Sequence, residues 1–228
     1  MNKLALTKRL SRDCGVNQTG PSTTLNQSGE YLRLVNWIDD AYKSIQILYS
    51  TWQFLREEFN FATVIGTASY TPTTAGLTDF AEWVSDDDQD SEDFRMYLTA
   101  LDERYLVYMP WEMFRVAYMV GTQRTQTGRP SVYTIRPDDT VMFYPIPDQI
   151  YTCLGEYYKV PDVMTADTDE PIFPERFHEA ILYRAMMSYG AYSQEPDKYS
   201  VGDREYRRII RGLKKSQLPQ MSWGEPLA

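Results

Sequence analysis

The chain has 228 residues, 43% of them hydrophobic, which is enough to bury a core in one large domain or two small ones and excludes a chain disordered as a whole. A net charge of −9 at pH 7 argues against a protein that holds nucleic acid through its phosphates, because such proteins neutralise them with Lys and Arg. Cys14 and Cys153 lie far apart with no CxxC spacing, so neither a disulfide scaffold nor a zinc site is indicated, and a reducing compartment fits. No apolar run approaches the ~20 residues that span a bilayer, and residues 1–14 lack a signal-peptide apolar stretch, so synthesis in the cytoplasm is expected.

Residues 3–13 predict a short helix with Leu4, Leu6 and Leu10 among Lys3, Lys8, Arg9 and Arg12, and residues 15–29 a polar loop. Ser28 is placed to cap a second helix over residues 30–50, in which Leu34, Trp37, Ile38, Ala41, Ile45 and Leu48 form one stripe. At Trp52 the pattern turns to alternation, with Leu55, Phe59 and Phe61 on one side of a strand. Strands continue through FAEWV, FRMYLTAL and ERYLVYM. The intervening DDDQDSED has the spacing of a calcium loop at Asp86, Asp88 and Asp90. Ser91 replaces the loop glycine and Tyr97 the closing Glu, so it reads as a solvated turn.

Pro110 opens a helix, PWEMFRVAYMVG, with Trp111, Phe114, Ala117 and Tyr118 on one face and Gly121 at its end. The segment GTQRTQTGRP lacks the ending of a phosphate-binding loop and is expected to be a flexible loop. SVYTI, TVMFYPI and QIYTCLGEYYKV follow, divided by turn signals at Pro137 with Asp138 and Pro147 with Asp148, and predict an antiparallel meander. Residues 161–173 read as an acidic linker.

Two helices close the pattern. The first starts at Pro174 and carries Phe177, Ile181, Ala185, Tyr189 and Tyr192 at helical spacing, widened by Leu182 and Met186. The second runs over residues 196–218, with Tyr199, Tyr206, Ile209, Ile210 and Leu213 apolar and Arg207, Arg208, Arg211, Lys214 and Lys215 crowding its last turns. Cations complement a helix C-terminus, but five exceed that need in an acidic protein, so this end is a candidate docking strut for an acidic partner surface. It leads through Leu218 into a polar tail whose one large aromatic, Trp223, suits an interface anchor. The expected class is α+β: helices at both ends forming a bundle, with an inserted antiparallel β-rich region. The corresponding segments are residues 1–51, 52–160, 161–218 and an extended tail, 219–228.

Chemistry is sparse. The only histidine, His178, is followed by Glu-Ala-Ile-Leu, so no H-E-x-x-H zinc motif exists, and neither a G-x-S-x-G elbow nor a G-x-G-x-x-G turn occurs. Paired carboxylates serve glycosidases, but none is singled out by an apolar setting. No enzyme, metal or cofactor is expected. Eighteen tyrosines and five tryptophans suit half-buried sheets and interfaces, which keeps an aromatic-rich carbohydrate-binding module as an alternative.

Taken in order, RLVNWIDDAYKSIQ, WQFLREEFNF, PWEMFR, TGRPSVYTI, YPIPDQIYTCLGEYYKVP, DTDEPIFPERFHEAILYRAMMSYGAY and EYRRIIRGLKKSQLP resemble the head-to-tail adaptor (connector) proteins of tailed bacteriophages. The resemblance implies a helical bundle with a β-rich insertion and a non-enzymatic virion protein of the neck. It implies a homo-oligomeric ring of about twelve copies below the portal protein. That ring would meet a tail tube, nozzle or tail-completion protein, and genomic DNA would pass through its lumen without specific binding. Head-completion and tail-terminator proteins are the neighbouring alternatives within the neck.

Overall fold

A computed structural model describes residues 1–84 and 93–219. In chain order come α1 (Lys3–Cys14), α2 (Gly29–Ile47), β1 (Arg56–Ala62), β2 (Ser69–Tyr70), β3 (Phe80–Trp83), β4 (Arg95–Tyr97), β5 (Arg104–Tyr105) and β6 (Val107–Tyr108). Then follow α3 (Trp111–Tyr118), β7 (Thr127–Gly128), β8 (Val132–Ile135), β9 (Val141–Tyr144), β10 (Ile146–Pro147), β11 (Thr152–Lys159), α4 (Glu179–Ser193) and α5 (Pro196–Gln217). The class is the expected α+β. The chain divides into a helical unit, Met1–Leu55 with Pro161–Ala228, and a β-rich unit, Arg56–Val160.

In the helical unit, Asn2 caps α1 by accepting a 2.9 Å bond from the Ala5 amide, and Gly15, at φ 80°, closes it. Ser28 stands at the cap position of α2 but its side chain makes no capping bond. That helix ends at Ile47, three residues earlier than the apolar pattern predicts, leaving Leu48 exposed. The reason is Trp52. It is fully buried, its indole N–H donates to the Ile45 carbonyl at 3.1 Å, and its ring stacks on Phe54. This gives the Ile45 carbonyl a second donor beside the Leu48 amide at the helix end, and residues 53–55 form a 3₁₀ turn, so β1 starts at Arg56 rather than at Trp52.

Helix α4 packs against α1, α2 and α5. Its predicted stripe is buried except Tyr192, which is exposed, and burial spreads further to Ala180, Met187 and Gly190. A helix with neighbours on several sides needs apolar residues around most of its circumference, so one stripe understates it. Pro174 caps a short 3₁₀ turn, Glu175–Phe177, ahead of α4 rather than opening the helix itself. Two glycines let α4 and α5 approach: a Cβ on Gly202 would lie 2.9 Å from the Tyr183 carbonyl, and one on Gly190 2.7 Å from the Tyr199 amide.

Residues 161–173 are more than a linker, because their carboxylates tie the segment down. Asp162 accepts from the Tyr42 hydroxyl at 2.8 Å and Asp167 from the Thr24 amide at 2.6 Å, while the Asp169 side chain accepts from the Thr165 and Ala166 amides at 2.8 Å. Lys3, grouped by its charge with the polar face of α1, is buried instead. Its ammonium donates at 2.8 Å to both Asp39 and the Met164 carbonyl.

The β-rich unit holds a five-stranded sheet in the order β1-β11-β4-β5 with β3 also beside β11, a four-stranded sheet β2-β9-β8-β6, and a parallel pair β10-β7. The predicted meander is correct only for the β8–β9 hairpin. Strand β11 leaves that hairpin for the other sheet, where it pairs antiparallel with β1, β3 and β4. Its alternation buries Cys153, Gly155 and Tyr157, and Gly155 is bare because a Cβ there would meet the Phe59 ring at 2.8 Å. The GTQRTQTGRP segment is structured rather than loose: Gly121–Thr125 is a 3₁₀ turn and Thr127–Gly128 is β7. The Tyr144 hydroxyl holds it through Gln123 and Gln126.

A candidate docking surface on the C-terminal helix

Pro196 occupies the first turn of α5, where its missing N–H is no loss, and twenty-one more residues follow to Gln217. Gly202, Ile209, Ile210 and Leu213 form the buried side. At ~100° per residue, Arg204, Arg207, Arg208, Arg211 and Lys215 spread over the opposite side, and all five are exposed.

The cations on this face differ in how far they are neutralised. Arg207 pairs with Asp203 at 2.8 Å, and Glu205 serves both Arg208 at 2.8 Å and Arg204 at 3.2 Å. Hydrogen bonds from Arg208 and Arg204 hold the Glu205 carboxyl below the usual range, while the bond to Asp203 raises Arg207 and that to Glu205 raises Arg208. Such exposed pairs stabilise a helix by only ~0.2–0.5 kcal/mol each, so these side chains remain available to a stronger partner. Arg211 and Lys215 form no ion pair among the described residues.

Of the residues singled out in the sequence, Arg207, Arg208, Arg211 and Lys215 therefore share one exposed face. Lys214 does not belong with them in kind. It is half-buried, donates to the Tyr49 hydroxyl at 2.9 Å and lies 4.8 Å from the centre of that ring. Leu218 is the half-buried C-cap, its amide bonded to the Lys214 carbonyl at 3.1 Å. Trp223 lies outside the described residues, as do Asp86, Asp88, Asp90 and Ser91. Two further cations belong to the surface and escape the sequence reading. Arg204 could have been found by its i, i+4 spacing to Arg208. Arg176 donates to the Ser216 hydroxyl at 2.8 Å from forty residues away, and no local pattern announces that.

The charge is partitioned between the units. The helical unit has 15 Lys and Arg against 15 Asp and Glu, whereas the β-rich unit has 8 against 17 and so carries the whole net charge of −9. The basic face of α5 is thus a local feature of a neutral unit.

His178 is part of the core rather than a reactive group. Only 2% exposed, it donates from Nε2 to the Phe173 carbonyl at 2.8 Å and accepts at Nδ1 from the Met1 amine at 2.8 Å. Burial, the dominant cause, pushes its pKa below 6.5. Both cysteines are buried and unpaired, and burial pushes the Cys14 thiol up to about 12. Among the described residues no three His, Cys, Asp or Glu gather to hold a metal, and no helix is long and apolar enough to cross a membrane.

The family described as SU10 adaptor protein matches the chain over residues 1–227. None of the curated proteins compared with it matches.

Proposed function

The chain belongs to the SU10 adaptor protein family, and from that premise we propose that it forms a ring below the phage portal, extending the DNA channel and presenting a platform for the tail. The observation that carries this reading is the family match over all but the last residue, which makes the chain a phage adaptor and a structural protein. Its place is the virion neck, with the portal protein on one side and a tail tube, nozzle or tail-completion protein on the other. About twelve copies close the ring. A closed ring of identical chains uses head-to-tail contacts, so each chain carries two different adhesive faces. The exposed cations of α5 supply one, directed at an acidic protein surface of the neck. Residues 219–228, with Trp223, dock on the portal or on a neighbouring copy.

The acidic surplus of the β-rich unit has a role in this setting. A channel wall of the same sign as DNA repels the phosphates and lets the genome slide, the opposite of the basic groove that a DNA-binding protein needs. The test is cosedimentation of the purified protein with portal-bearing, tailless heads. Saturable binding to heads and none to duplex DNA at moderate salt is expected; micromolar DNA affinity with no binding to heads would overturn the reading. Deleting residues 219–228 is expected to weaken the binding, and unchanged binding would remove the tail from the account.

A further inference from the structure

The outward face of the five-stranded sheet carries an imbalance of its own. Register sets Glu58 of β1 directly opposite Glu156 of β11, and Glu82 of β3 opposite Tyr158 of β11. Strand alternation puts these carboxylates on one side, away from Phe59, Phe61, Tyr157 and Trp83, which fill the core. Like charges directly opposite each other destabilise a sheet. Arg56 relieves one of them by pairing with Glu156. Glu58 and Glu82 stay exposed and form no ion pair among the described residues. Beside them, Arg56, Glu58, Arg95, Tyr105, Leu154 and Glu156 line a concavity of about 200 Å³ on the same face.

The α5 face is the counterpart. Among the described residues it leaves two cations, Arg211 and Lys215, one helical turn apart and without carboxylates, and the sheet leaves two carboxylates without cations. The first pair sits on the neutral unit and the second on the unit with the whole net charge. We propose that the acidic surface met by α5 is the outward sheet face of the next copy of this chain, with Arg211 and Lys215 of one copy placed on Glu58 and Glu82 of the other. Arginine's flat fork suits the Glu58 carboxylate in this concavity, where Arg56 and Arg95 are already engaged by Glu156 and Glu103, and the half-exposed Tyr105 ring offers it a stacking surface. This contact is head-to-tail, since the two faces differ, and propagates from copy to copy as a ring requires. It rests on the ring assembly proposed above and names the surfaces that make it.

The test is a charge swap in the full chain, read by sedimentation velocity at low salt. Wild type is expected to self-associate and to lose about tenfold in affinity when salt is raised, because exposed pairs are screened. R211E/K215E and E58K/E82K are each expected to lose at least about tenfold, with circular dichroism unchanged, since like charges then face each other. Mixed in equal amounts, the two variants present opposite signs at every contact and should recover association to within about threefold of wild type. Wild type that stays monomeric at about 200 µM in low salt, a variant that associates like wild type, or a mixture no better than its parts would each overturn the proposal. So would R211E/K215E abolishing retention of duplex DNA while leaving self-association intact, which would make α5 a nucleic-acid face. Wild type that binds heads while failing these tests overturns this contact alone and leaves the adaptor reading in place.

Discussion

The helical unit buries a mainly aliphatic core around α4, with a minority of rings such as Tyr42, Trp52 and Phe173, whereas ten of the fifteen residues clustered in the core of the β-rich unit are aromatic. Leu6, Leu10, Leu34, Ile38, Ile45, Ile181, Leu182 and Leu213 are all fully buried in the first. In the second, Phe94 stacks on Tyr133 at 4.3 Å between ring centres, and Phe59 meets Trp83 edge-on at 5.0 Å. Charge divides along the same line, balanced in one unit and −9 in the other. Aromatic rings let short strands of two to four residues reach a shared core, because each ring buries 150–250 Å² or so and gains ~0.5–1.5 kcal/mol from its ring neighbours. Long helices reach theirs with Leu and Ile. A unit held from inside by rings can leave its surface acidic, and that surface is then free for assembly.

The comparison breaks most readily in the cores. Phe143→Ala in the β-rich unit should lower stability by ~3–5 kcal/mol, since this ring is 1% exposed and packs on Tyr70 and Phe61. Urea unfolding followed by hydrogen exchange should place the loss in β8 and β9. A loss below ~1 kcal/mol would mean that the rings do not interlock. In the helical unit the sensitive point is close approach rather than ring size. Gly202→Ala should cost ~1–3 kcal/mol because the new methyl meets the Tyr183 carbonyl, and a neutral or stabilising result in the same urea experiment would contradict the tight α4–α5 contact.

Acid should sharpen the contrast. His178 belongs to the helical unit, and its folded pKa lies below the unfolded 6.5, so the unfolded chain takes up that proton first. Its contribution is complete above pH 6.5 and is lost as pH falls through the depressed value. Asp167 and Asp169 are lowered from 3.8, chiefly by Thr23 and Thr24 hydrogen bonds in the first and the Ala166 and Thr165 amides in the second, so their losses begin at about pH 5, where the unfolded carboxyls start to protonate. Urea midpoints measured from pH 7.5 down to 5.5, above the carboxylate range, should fall in wild type and stay flat in His178→Gln. Equal slopes in the two proteins would show that another group titrates. The smallest effect on stability belongs to R211E/K215E, within ~1 kcal/mol, because neither side chain forms an ion pair among the described residues and only the favourable placement of Lys215 at the helix C-terminus is reversed. A larger change in the urea midpoint would place these cations in the fold rather than in assembly.

What could be read in the sequence follows the range of the interactions involved. Helix α5 was legible to within a residue, since Pro196 and the polar residues after Leu213 are local signals. The class of the fold and the family were legible from the order of segments. The place of β11 was not, because its partners lie 90–102 residues away on β1, 74–79 on β3 and 55–59 on β4, and only Gly155 against Phe59 marks the match. Within the candidate docking face, the cations could be counted, but the inward turn of Lys214 depends on Tyr49, 165 residues earlier. The placement of Glu58 and Glu82 on one outward face, without an ion pair among the described residues, was likewise invisible without register.

The most direct test of the adaptor reading is cryo-electron microscopy of portal-bearing, tailless heads incubated with the purified protein. The account predicts a closed ring of about twelve copies added below the portal, with α5 of each copy against the five-stranded sheet of the next. Heads left without added density beneath the portal would contradict it.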